Sequence, residues 1–181
     1  MKKFKFLFVG LFAFFAVSVQ GQIQVGGTVG LQMPLGDFGD AFDPGFGIHA
    51  VGKYFFQENM AVGLNLGYSK FGSDFEDFSS SMVPVTALFE YHLNPAGDGK
   101  IKPYVGADAG LYSYGVKMKF LGESISESDM YFGIAPTAGV LYEISDVLSL
   151  CGNLKYNLVF SEGESISYLG INVGILYSLN K

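Results

Sequence analysis

From Ile23 onward, apolar and polar residues alternate with a period of two, the spacing that puts successive side chains of a β-strand on opposite faces. The alternation predicts eight strands, over 23–33, 46–55, 61–69, 82–93, 101–114, 130–143, 148–158 and 168–179. In the last of these, Leu169, Ile171, Val173, Ile175, Tyr177 and Leu179 share one face. Tyr168, Gly170, Asn172, Gly174, Leu176 and Ser178 share the other. In the fourth, Val83, Val85, Ala87, Phe89, Tyr91 and Leu93 oppose Pro84, Thr86, Leu88, Glu90 and His92. Collected over all strands, the more apolar face holds no Asp, Glu, Lys or His. The opposite face holds Lys53, Glu90, Lys102, Asp108, Glu143 and Lys155, with His49, His92 and many glycines.

This distribution decides between two kinds of β fold. A soluble barrel or sandwich carries its charges outside and its bulky aliphatics within. Here the charges share a face with Gly, Asn, Thr and Ser, while the aliphatics own the other. A lysine near the bilayer midplane on a lipid-facing strand costs about 2–4 kcal/mol, so a face free of charge is what contact with lipid requires. The expected fold is therefore all-β: a closed antiparallel up-and-down transmembrane β-barrel of eight strands. Aromatic placement agrees with it. Tyr54, Tyr91, Tyr142 and Tyr177 end the descending strands on the lipid-facing parity, and Tyr68 and Tyr156 lie near the opposite rim. Amphipathic rings favour such interfacial girdles.

The predicted connections alternate between long and short, the longest spanning 115–129. Short turns are expected in the periplasm and long loops outside, which leaves both termini periplasmic. Most of the 17 acids fall in the long loops: Asp37, Asp40, Asp43, Asp74, Glu76, Asp77, Glu123, Glu127, Asp129, Glu162 and Glu164. Pro84 and Pro103 are expected near strand ends. Pro136, mid-strand in a closed sheet, predicts a bulge or register break.

Composition narrows the picture further. The chain of 181 residues is 49% hydrophobic and 15% charged, against about 25% charged in ordinary soluble domains. Its aromatic content excludes intrinsic disorder. A net charge of −6 argues against nucleic acid, and one Cys excludes a disulfide framework or a Cys-based zinc cluster. Residues 1–21 carry Lys2, Lys3 and Lys5, an apolar run from Phe6 to Val17, and Val19 and Gly21 before an expected cut. That run is too short for a spanning helix and reads as a cleaved export signal, leaving residues 22–181 as one barrel domain.

The stretches Lys102-Pro103-Tyr104-Val105-Gly106-Ala107-Asp108-Ala109-Gly110, Phe132-Gly133-Ile134-Ala135-Pro136 and Gly139-Val140-Leu141-Tyr142-Glu143 carry a resemblance. In them the chain resembles the bacterial outer-membrane β-barrel domain family, small barrels of the OmpA/OmpX type. The resemblance covers essentially the whole mature chain. It implies location in the cell outer membrane and roles in envelope integrity, adhesion or surface interaction, and it carries over no catalytic residues.

Candidate chemistry is sparse. Lys53, Glu90, His92, Lys102 and Glu143 map to the periplasmic half of the lumen; with Asp108 and Lys155 they form a candidate polar network. Opposite charges there either pair into a plug or reach periplasmic water. His49 and His92 are candidate bases or ligands by residue type. No GxSxG or HExxH motif accompanies them, and the nearby Ser79, Ser80 and Ser81 are expected in a loop, so both read as lumen residues. Cys151, inward between Ser149 and Asn153, reads as a packed thiol. Asp37, Asp40 and Asp43 lack EF-hand spacing. They remain either solvated acids or partners, through divalent cations, of lipopolysaccharide phosphates.

Phe38, Phe42, Phe71, Phe75, Phe78 and Phe120 lie among these loops, where they either close the rim or offer a docking surface. The expected protein is a non-enzymatic monomer without cofactor or metal. Its partners are outer-membrane lipid and lipopolysaccharide, with an extracellular ligand held by the loops left open. Small-solute passage or lipid-modifying chemistry is the alternative.

Overall fold

A computed structural model describes residues 21–73, 78–93, 100–120, 123–161, 163 and 165–179, without the side chains of residues 78, 117–120 and 123–127. The export signal, save Gly21, lies outside the described residues, as do Asp74, Phe75, Glu76, Asp77, Glu162 and Glu164. The side chains of Phe78, Phe120, Glu123 and Glu127 do too.

The elements run β1 (Gln22–Leu35), α1 (Asp37–Ala41), β2 (Asp43–Gln57), β3 (Met60–Gly72), β4 (Phe78–His92), β5 (Ile101–Phe120), β6 (Glu123–Glu143), β7 (Leu148–Phe160) and β8 (Ser165–Ser178). Each strand pairs antiparallel with its sequence neighbours, and β8 pairs with β1 from Gln24↔Ser178 to Leu35↔Ser167, closing the barrel. Closure satisfies the backbone groups that an edge would leave bare in lipid. The charge-free face points outward: Val29, Ile48, Leu64, Val85, Val105, Ile134, Leu154 and Ile175 are all exposed.

Three expectations are corrected. The connections do not alternate long and short: those outside span 36–42, 73–77, 121–122 and 161–164, while the periplasmic 93–100 is the longest. The asymmetry is carried by the strands instead, which run on past the membrane. Within 115–129, expected as a loop, residues 115–120 and 123–129 belong to β5 and β6, paired from Ser113↔Met130 to Phe120↔Glu123. Ser79, Ser80 and Ser81 likewise belong to β4.

Prolines are accommodated more quietly than expected. At Pro136 the β6–β7 ladder skips from Ile134↔Leu158 to Thr137↔Lys155 in unchanged register, with no bulge. Pro84 is mid-strand, and the β3–β4 ladder skips from Leu66↔Val85 to Ser69↔Met82 in the same way. A missing N–H removes a ladder bond without adding a residue, so pairing lapses locally and resumes in phase. Register shifts occur in β2–β3, between Asp43 and Phe46 and between Phe55 and Gln57.

The first outer connection contains α1, a single helical turn. Gly36 before it has φ of 59°, a left-handed conformation that favours glycine, and Phe42 N–H closes the turn on Phe38 O at 3.1 Å. The turn folds Phe38 and Phe42 onto the barrel mouth, where both are buried.

Candidate functional site

The inward faces stack three layers along the barrel. At the periplasmic end, Lys53 Nζ lies 2.7 Å from Glu90 Oε2, and His92 Nε2 lies 3.1 Å from the same oxygen. Tyr104 backs this group: Lys53 Nζ stands 5.0 Å over its ring centroid, and the His92 ring stacks on it at 5.1 Å. Tyr104 also packs with Leu141, Cys151 and Leu176, which places Cys151 as a buried lumen thiol. Lys102 Nζ and Glu143 Oε1, 2.7 Å apart, are partly exposed at the mouth.

The middle layer is polar. Asp108 Oδ2 accepts from Lys155 Nζ at 2.6 Å and from Thr86 Oγ1 at 3.0 Å, and Asn65 Nδ2 donates to Thr86 Oγ1 at 3.4 Å. Gln32 Nε2 donates to Asn172 Oδ1, and Asn172 Nδ2 to Asn153 Oδ1, each at 3.0 Å. The seven charged or titratable residues singled out in the sequence thus fall into three ion-paired groups. His49 lines a cavity of about 20 Å³ that Lys53, Asn65, Glu90, Tyr104 and Lys155 also touch. That volume holds about one water. Among the described residues, no three His, Cys, Asp or Glu side chains gather as a metal site requires.

The outer layer is apolar. Phe38, Phe42, Phe71, Met82, Tyr112, Val159 and Tyr168 form one buried cluster. Phe38 meets Phe42 and Phe71 at ring distances of 5.0 Å each, and Phe71 meets Tyr168 at 5.3 Å. Tyr112 and Tyr168 take the inward parity expected from the sequence, whereas Met82 and Val159 in this layer were not singled out there.

A local rule governs who meets whom. Lys53 and Glu90 sit on β2 and β4, which are not neighbours; opposite them on β3 stand Gly63 and Ala61. Lys155 on β7 reaches Asp108 on β5 across β6, where the facing residues are Thr137 and Ala135. Tyr112 OH on β5 donates to Asn157 Oδ1 on β7 at 3.1 Å, again across β6, here at Gly133. A Cβ on Gly133 would stand 2.7 Å from the Tyr112 ring, so only glycine leaves the phenol this path. Small residues on one strand let long polar side chains bridge the strands on either side.

On the outer surface, Tyr91, Tyr142 and Tyr177 are exposed on the outward parity near the periplasmic ends, with Tyr54 half-buried beside them. Tyr68 and Tyr156 are exposed toward the other end. Beyond Tyr68 the sides exchange character. Lys70 faces out while Phe71 is buried; Ser165 and Ser167 take the outward parity of β8 while Ile166 packs against the apolar cluster. In β5 the inward Tyr114 packs against the same cluster. The exchange marks where lipid outside the wall gives way to water.

The profile described as "Outer membrane protein beta-barrel domain" matches residues 6–178. The chain belongs to the outer membrane protein β-barrel domain family. As a member of that family it resides in the bacterial outer membrane, and an even strand number leaves both barrel ends of the chain on the periplasmic side. An uncharacterized protein of Haemophilus influenzae is 23% identical over 192 residues, covering 96% of this chain and 98% of that protein. The crystal structure of Neisserial surface protein A superposes with a TM-score of 0.66 at 16% identity, over 88% of this chain and 99% of that one. Ail, the attachment invasion locus protein of Yersinia pestis, crystallised in complex with the heparin analogue sucrose octasulfate, superposes with a TM-score of 0.58 at 15% identity. It covers 88% of this chain and 97% of its own. These structural likenesses bear on the fold of this outer-membrane barrel.

Proposed function

We propose that this outer-membrane barrel is a non-enzymatic envelope protein, closed to solutes, that works through its outer surface in envelope integrity or surface contact. The carrying observation is the interior. A cavity of about 20 Å³ within it is lined by the ion-paired Lys53, Glu90 and Lys155, and a packed aromatic cluster occupies the outer end. Eight strands enclose a space that side chains can fill, and the paired charges inside support a closed lumen. Outer-membrane lipid, lipopolysaccharide among it, is the standing partner of the outward face. The lumen groups act as a plug, His49 and His92 as members of it, and the protein works as a monomer with no cofactor. Residues 1–21 are a leader removed on export.

The test is electrical. Purified full-length protein reconstituted in planar bilayers is expected to leave the baseline conductance unchanged. Unitary current steps that disappear on heat denaturation would overturn the closed lumen, and turnover of phospholipid or lipid A by the reconstituted protein would overturn the non-enzymatic reading.

A further inference from the structure

Two chains of hydrogen bonds run round the middle of the barrel. The first passes from Lys155 on β7 to Asp108 on β5, Thr86 on β4 and Asn65 on β3. The second passes from Gln32 on β1 to Asn172 on β8 and Asn153 on β7. They stop at β3 and β1, on either side of β2. The inward residue of β2 between them is His49, paired in register with Thr28 of β1 and Gly67 of β3. His49 is 6% exposed, and neither Nδ1 nor Nε2 has a hydrogen-bond partner among the described residues. Asn65 Oδ1, at the near end of the first chain, is likewise buried and without a partner among them. Both residues line the cavity of about 20 Å³, to which all eight strands contribute.

The wall fixes what can occupy that space. Its charges are already paired, Lys53 with Glu90 and Lys155 with Asp108, so the occupant carries none. A neutral imidazole offers one N–H donor and one acceptor nitrogen, and the Asn65 oxygen only accepts. The occupant must therefore accept one hydrogen bond and donate two. A metal cation would face the ring N–H, and an anion would face two acceptors. Water meets all three demands. The volume admits about one molecule, and buried waters ordinarily hold about two to four polar partners. Packed side chains close the space at both ends, the aromatic cluster outside and Tyr104, Leu141, Cys151 and Leu176 toward the periplasm. We infer that His49 and Asn65 bind a single long-lived water, which carries the hydrogen-bonded belt across β2. The long residence rests on the closed-lumen reading; the site itself names what holds the middle of that lumen together.

The experiment is nuclear magnetic resonance on the full-length protein in detergent micelles, with histidine labelled at both ring nitrogens. The chain has two histidines, so His92→Phe assigns the His49 signals. In wild type the His49 ring N–H is expected to show a cross-relaxation peak at the water frequency, with the sign of a water held longer than the micelle's tumbling time. The two ring nitrogens are expected to show the unequal shifts of a neutral imidazole. Relaxation dispersion of water oxygen counts long-lived waters: His49→Phe is expected to lose one, and His92→Phe, outside the cavity lining, to lose none. Absence of the peak, the sign of fast-exchanging water, an unchanged count in His49→Phe or an equal loss in His92→Phe would each overturn the site. The shifts of an imidazolium at neutral pH would overturn water as its occupant, because two donors would then call for an acceptor alone. The ring spectra stand even where His49→Phe fails to fold. Unitary conductance would overturn the closed lumen, whereas a barrel silent in bilayers and lacking the peak would lose the water site alone.

Discussion

Lys53 places its Nζ 2.7 Å from Oε2 of Glu90 although the two belong to strands separated by a third. The bridge exists because Ala61 and Gly63 leave the intervening strand low on its inner face. Both partners are buried, so each relies on the other for its charge. Removing one member of such a pair costs about 3–5 kcal/mol, because the survivor is left uncompensated. Glu90→Leu is therefore expected to lower the urea midpoint of the lipid-reconstituted barrel strongly. The double change Lys53→Met with Glu90→Leu is expected to recover most of the loss, since an apolar pair of similar volume is often neutral. An unchanged midpoint in Glu90→Leu would remove the ion pair from any role in closing the lumen.

Gly133, on the inner wall, and Gly152, on the outward face of β7, give a paired test of crowding. A Cβ on Gly133 meets the Tyr112 ring, whereas one on Gly152 meets nothing nearer than 4.0 Å. Gly133→Ala is expected to destabilise by about 1–3 kcal/mol through overpacking, and Gly152→Ala to be neutral or to stabilise by up to about 1 kcal/mol. Denaturant unfolding of both variants in the same lipid reads the difference directly.

Phe38 is expected to hold the first outer connection down. Its ring packs on Phe42, Phe71 and Tyr114 and so ties the turn to the buried aromatic cluster. Phe38→Ala is expected to speed protease cleavage within 36–42 on intact cells. The barrel's own unfolding should shift by less than the about 3–5 kcal/mol of a core Phe→Ala, because the turn opens locally.

Nitroxide labels at Val85, Ile134 and Ile171 are expected to collide readily with oxygen and poorly with a water-soluble nickel chelate. All three side chains lie on the exposed apolar face. The opposite ranking would place water where hydrocarbon is required.

Intact mass of protein purified from outer membranes is expected to match residues 22–181. A mass retaining residues 1–21 would show that the leader stays attached.

Strand parity was the most legible feature of the chain. Lys53, Glu90, Asp108 and Lys155 could be assigned to the lumen because lipid allows no charge on the other side. The strands expected to end at Tyr114 and to begin at Met130 run on to Phe120 and start from Glu123, and the cause is physical. Past the membrane the wall has water outside, so apolar residues move to the inward parity, as at Phe71, Tyr114 and Ile166. The partners of each charge were less legible. That Lys53 selects Glu90 and Lys155 selects Asp108 depends on which small residues lie between them, and this follows from register across three strands. The effect of Pro136 was misjudged because a lost donor interrupts pairing without adding a residue.

The reversal along β3, β5 and β8 also fixes how deep the barrel rides in its bilayer. Sliding toward the periplasm would drag Lys70 and its neighbours into acyl chains, at about 2–4 kcal/mol for each lysine brought to the midplane. Sliding outward would carry the exposed Tyr91, Tyr142 and Tyr177 away from the lipid–water boundary that such rings favour. The molecule is held like a float between two stops, and a change of membrane thickness would be felt first at those two collars.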